Sequence, residues 1–189
     1  QKTFSYGPAK ACNLARFTQV PIPGHALVAL LRGEAPLLVH EPDAARIGWD
    51  ADGYYKLSID SKHAASQEVH LAVHPDDFDK PWQAQRVRVE HVRVTQGGFD
   101  LFSADLSDHV AAQTAPARED EDGLEDPIPP SGPACSAEVP RKIRFRVDET
   151  RDDVIFRYKE AKHNPPLLPD TFTQPVPGGM RRQFVDCAD

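Results

Sequence analysis

Apolar and polar positions alternate with a period of two through much of the chain. In YYKLSID (54–60), Tyr55, Leu57 and Ile59 alternate with Tyr54, Lys56, Ser58 and Asp60. EVHLAV (68–73), QRVRVEHVRV (85–94), GFDLFSADL (98–106), KIRFRV (142–147) and DVIFRYKE (153–160) repeat the pattern. Such alternation predicts strands with one face on a core. Within 85–94 the phase breaks: a regular strand would set Val87 and Val89 opposite Val92 and Val94, which predicts a bulge near Glu90-His91. Gln96-Gly97-Gly98 supplies a hairpin turn. Only VPIPGHALVALLRG (20–33) reads as a helix, with prolines ahead, Gly33 as its stop, and Ala26, Leu27, Leu30 and Leu31 on one side. These signals predict a mainly β chain with an antiparallel sheet and a capping helix, not βαβ units.

Between residues 112 and 139 the texture changes to an acidic, proline-rich run containing Glu119, Asp120, Glu121, Asp122, Glu125 and Asp126. Mutual repulsion and the prolines oppose strand pairing, so the run is expected to be a solvated insertion within one domain spanning 1–189. It lacks the spacing and central glycine of an EF-hand loop. The last segment, from NPPLLPD onward, reads as an extended proline-rich crossing followed by a short terminal strand in MRRQFVDC.

Composition narrows the functional classes. A net charge of -7 with no basic stripe argues against nucleic acid as the main partner. No run of about 18 to 20 apolar residues is present to form a spanning helix. Cys12, Cys135 and Cys187 fit no compact zinc spacing and allow one bridge and one free thiol, with Cys12–Cys187 and a Cys135 pairing both open. The chain opens at Gln1 without an initiator Met or a leader pattern, as expected of a processed or truncated form.

The chemistry is mostly negative. Nucleophile elbow, phosphate loop, dinucleotide fingerprint and zinc-protease motif are all missing. His70 and His74 with Asp76, Asp77 and Asp79 form a nondistinctive metal-type spacing, so no metal site is assigned. His25, His40, His91, His109 and His163 stand alone, and neither an enzyme activity nor a cofactor is expected. The rings and aliphatic side chains instead supply a core, or a cavity for an apolar ligand.

The order of motifs resembles the bacterial outer-membrane lipoprotein carrier and receptor superfamily (LolA/LolB-like). The likeness runs through Val20-Pro21-Ile22-Pro23 to Leu30-Leu31-Arg32-Gly33, Ile47-Gly48-Trp49 and Tyr54-Tyr55. It resumes in Val154–Lys159, Asn164-Pro165, Leu168–Phe172 and Pro177-Gly178-Gly179. The resemblance implies a curved antiparallel sheet forming an incomplete barrel closed by helices, here without the usual amino-terminal elements. By the same resemblance a hydrophobic cavity would hold lipid or the acyl chains of a lipoprotein. Leu27, Leu30 and Leu31 would line it from the lid, and Trp49, Tyr55, Leu57, Phe145, Phe156 and Phe172 from the sheet. Gly33-Glu34-Ala35 departs from the apolar protruding loop of a receptor. The implied setting is the periplasm or outer membrane of a Gram-negative bacterium, with peripheral membrane association and a role in lipoprotein trafficking. The alternative is an envelope structural adaptor with a filled core that binds protein partners.

Overall fold

The computed structural model describes residues 2–119, 122–124, 126–134 and 137–187. In chain order its elements are β1 (Thr3–Tyr6), α1 (Ala11–Thr18), α2 (Gly24–Leu31), β2 (Ala45–Trp49), β3 (Tyr55–Asp60), β4 (Ala65–Val73) and β5 (Val87–Gln96). These are followed by β6 (Phe99–Ala111), β7 (Gln113–Thr114), β8 (Glu138–Val147), β9 (Asp152–Arg157), β10 (Lys162–His163) and β11 (Arg181–Phe184). Seven strands make one antiparallel sheet in the order β2-β3-β4-β5-β6-β8-β9. Its edge strands do not pair with each other, so the sheet is open and not closed into a barrel. No helix among the described residues is long and apolar enough to cross a membrane.

Alternation builds the sheet as expected. Leu57 pairs Val69, Val69 pairs Val92, Val92 pairs Ala104, Ala104 pairs Phe145 and Phe145 pairs Val154, so one apolar row crosses six strands on the helix side. The bulge falls where the phase conflict put it. His70 pairs His91 but Leu71 pairs Val89, leaving Glu90 as the extra residue. That one insertion keeps Val89 and Val92 in the same core.

Helix α2 covers this row with Leu27 and Leu30, joined by Val20 and Ile22 from the preceding turn. It stops through a Schellman arrangement. Gly33 N–H donates to Leu30 O at 3.0 Å and Glu34 N–H to Ala29 O at 2.9 Å, with Gly33 at φ 85°. A Cβ on Gly33 would also lie 2.8 Å from Pro140 Cδ, so the stop doubles as a close approach to β8. The strap that follows is fixed by Gln67, a buried polar side chain. It accepts from Leu38 N at 3.0 Å and donates to Pro36 O at 2.8 Å.

Helix α1 has no counterpart in the sequence reading. Together with the parallel pair β1–β11, it joins the two ends of the chain. Buried Asn13 donates to Pro8 O at 2.9 Å and to Val185 O at 3.1 Å, and Cys12 is disulfide-bonded to Cys187. Gly7 is obligatory here because a Cβ would sit 1.9 Å from Val185 O. Of the bridges left open by the sequence, Cys12–Cys187 is the one formed, and Cys135 lies outside the described residues.

The 112–139 segment departs from a free excursion at its ends. Ala112 and Ala115 are buried, β7 pairs in parallel with β10, Arg118 bridges Ile128, and β8 already begins at Glu138. The small apolar residues flanking the acidic run anchor it. Asp120, Glu121 and Glu125 lie outside the described residues.

Candidate functional site

The residues expected to line a cavity divide into three groups. Leu27, Leu30 and Phe145 are buried members of the core, while Leu31, Leu57 and Phe156 pack against it. Phe145 and Phe156 meet edge to face at 5.6 Å. These six side chains, from helix and sheet, thus belong to one apolar cluster. Trp49 and Tyr55 form the second group, meeting edge to face at 4.9 Å, with Trp49 58% exposed at the sheet margin. Phe172 stands alone, 88% exposed in the proline-rich crossing and away from the sheet core. A cavity of about 630 Å³ lies at the β5–β6 turn, but Arg93, Asp100, Asp148 and Glu149 line it beside Phe99 and Leu101.

The sheet margin at β2 is the first exposed feature. Ile47 and Trp49 alternate onto the helix side through their pairing with Leu57 and Tyr55, yet Ile47 is 64% exposed because the helical cover does not reach this edge. Gly48 between them has open space where a Cβ would project. The opposite edge differs. Strand β9 carries Asp152, Asp153 and Arg157, and Arg144 donates to Asp153, holding its carboxyl below the usual carboxylate range. Charged side chains of this kind blunt an edge, whereas β2 offers only Arg46.

The solvent face of the sheet is self-paired. His91 Nδ1 lies 2.7 Å from Asp105 Oδ1, Asp105 also binds Arg146, and His70 Nε2 lies 2.7 Å from Glu68 Oε1. Arg93 forks onto Asp100 at 2.8 and 2.9 Å. The His70 ring packs against Tyr54 and His91 at 5.7 and 5.3 Å. His70 and His74 engage different partners, so the spacing noted in the sequence does not become a joint site. Among the described residues no group of three or more His, Cys, Asp or Glu could hold a metal ion.

The second feature is polar and was not legible in the sequence. A cleft of about 430 Å³ is lined by Gly33, His74, Arg86, Arg88, His109 and Glu138, among others. Its rim is set by Asp77, whose side chain is wholly buried. Asp77 accepts from Arg86 N at 2.9 Å, Nε at 2.7 Å and Nη2 at 3.0 Å, and from Lys80 Nζ at 2.6 Å. These donors, Arg86 first, hold the Asp77 carboxyl well below the usual carboxylate range. Inside the cleft Glu138 lies 3.4 Å from both His74 Nε2 and Arg88 Nη1. Burial, followed by the charge of Arg88, pushes the His109 imidazole below its ordinary value.

Among the described residues the geometry defines a mostly β chain with an open antiparallel sheet, two short helices, an apolar edge at β2 and a polar cleft beside β5. No family model, curated protein or solved structure matches it.

Proposed function

We propose that the chain is a non-catalytic binding domain that takes up an extended segment of a partner polypeptide along β2. The observation that carries this reading is the unpaired β2 edge with Ile47 and Trp49 exposed on one face. An open edge presents backbone donors and acceptors in strand register, and alternate side-chain sites give selectivity. Trp49 braced on Tyr55 is the residue type that anchors interfaces at low entropic cost. Lipid or lipoprotein acyl chains in an interior cavity remain the reading favoured by resemblance to the lipoprotein carrier superfamily. The exterior reading is preferred because six of the nine residues expected to line that cavity, Leu27, Leu30, Leu31, Leu57, Phe145 and Phe156, pack into one apolar core.

The Cys12–Cys187 disulfide supports an oxidising compartment, and with the same resemblance favours the bacterial envelope, periplasmic or outer-membrane-associated. No catalytic step is assigned.

A random peptide library panned against the protein tests the proposal. Peptides with alternating apolar residues should be recovered, and an Ile47→Lys, Trp49→Ser variant should bind them at least about tenfold more weakly while still unfolding cooperatively, with a melting temperature only a few degrees lower from the lost Trp49–Tyr55 contact. Binders indifferent to both substitutions would contradict it. So would saturable fatty-acid binding unaffected by them, combined with no peptide recovery.

A further inference from the structure

The segment between β4 and β5 is held in shape by a buried carboxylate, yet it displays its largest rings to solvent. Asp77 takes both Lys80 and Arg86, and two single helical turns, Pro75–Asp77 and Trp82–Ala84, carry the backbone. On this braced loop Phe78 is 61% exposed and Trp82 69% exposed. One exposed ring on a surface calls for no explanation.

What sets these rings apart is their tie to the β2 edge. Gln85 Nε2 donates to Lys80 O at 2.9 Å, while Gln85 Oε1 accepts from Tyr55 Oη at 2.8 Å. The Gln85 backbone N–H donates to Trp82 O, so the Trp82 turn and this side chain are held together. Tyr55 is also the residue on which Trp49 rests, at 4.9 Å. Both tryptophans of the chain are thus linked through one tyrosine, at the end of the edge proposed to receive a partner segment.

The surrounding charge indicates what such a segment carries. Asp50 and Asp52 follow Trp49 in the β2–β3 turn, and Asp76, Asp77 and Asp79 lie on the loop. Against these five carboxylates the turn 50–53 and the loop 74–86 set only Lys80 and Arg86, both turned onto Asp77. Exposed indoles in an excess of negative charge attract a cation, and a guanidinium above all, because it stacks on a ring while its N–H groups reach carboxylates. A lipid surface is the poorer match, since peripheral aromatic anchors work with basic residues free to meet headgroups.

We propose that the polypeptide segment taken up along β2 carries arginine next to its apolar stretch, and that Trp82, with Trp49, receives the guanidinium. The apolar stretch rests on the β2 reading; the arginine rests on the Trp82 loop.

The probes are two labelled synthetic peptides, Arg-Arg-Val-Thr-Val-Thr-Val-Arg-Arg and its twin with citrulline, the neutral isostere, in place of every arginine. Arginine at both ends serves either strand direction. Fluorescence anisotropy at about 0.1 M salt should show the arginine peptide binding about three- to tenfold more tightly. Trp82→Leu keeps an apolar side chain but loses the ring, and should bring the two affinities within about twofold while leaving the citrulline peptide unchanged. Asp79→Asn, which leaves every ring in place, should also lower the preference for arginine. Equal affinities in the native chain, both weakened by Ile47→Ser, would overturn this proposal and leave the β2 reading standing. An arginine preference lost in Trp82→Leu but indifferent to Ile47→Ser would do the reverse. Binding of neither peptide would overturn the proposal. So would Trp82-dependent binding to phosphatidylcholine vesicles, or Trp82-dependent self-association, without any preference for arginine.

Discussion

Asp77 shows how one carboxylate organises a whole loop. Wholly buried, it holds the backbone N–H and guanidinium of Arg86 and the ammonium of Lys80, and so closes the segment between β4 and β5. Its carboxyl titrates far lower in the folded chain than in the unfolded one, where it protonates near about pH 4. The folded state thus binds fewer protons, and the contribution of Asp77 is complete above that pH and is lost as pH falls toward the folded value. Asp77→Asn should therefore melt below the native chain near neutral pH, with the gap narrowing as the pH falls through the range below about 4. Thermal unfolding over a pH series checks this, and a gap that widened with acidity would contradict the assignment. The same residue was visible in the sequence only as one of three aspartates after His74. What distinguishes it, the partner Arg86 nine residues away, depends on how the loop closes.

At the scale of elements, helix α2 is seated on the sheet by one side, through Leu27 and Leu30. Leu30 is buried against Val69, Val92 and Phe145 in one core, whereas Val28 faces solvent. Leu30→Ala should cost about 2–5 kcal/mol in urea unfolding, because the surrounding strands cannot collapse into the space left. Val28→Ala should stay within about 0.5 kcal/mol. Equal, small losses at both positions would mean that α2 is loosely seated, as a mobile lid over a hollow would be.

The elements that could be read in the sequence are those with a clear period. Val87, Val89, Val92 and Val94 announced both a strand and its bulge, because their phase conflict has no other economical resolution. The α2 helix was equally plain, from its run of apolar residues between prolines and Gly33. Helix α1 was not, since Ala11–Thr18 has no side-chain cap and Asn13 at its buried position. Strand β2 is five residues with most positions exposed, too short and too wet for alternation to show. The parallel pairs β1–β11 and β7–β10 join segments far apart in the chain, which local pattern does not report. For the candidate sites, Trp49 and Tyr55 were singled out and do lie together, but at the edge of the sheet. The cleft of Arg88, His109 and Glu138 was hidden because it exists only where β5 and β6 separate.

Taken as a whole molecule, the chain has a disulfide and a strand pair joining its two end segments, an apolar core in which Leu27 and Leu30 of α2 pack on the sheet, and two unequal sheet edges. The β9 edge is charged, and β2 presents Ile47 and Trp49. The central claim is that partners add to the β2 edge while the interior stays closed. Amide hydrogen exchange on the native chain, alone and with a panned peptide bound, tests it directly. The account predicts new protection within Ala45–Trp49, with exchange at Val69, Val92 and Phe145 equally slow in both states. Protection confined to other segments, or core amides that exchange quickly until an acyl ligand is added, would contradict it.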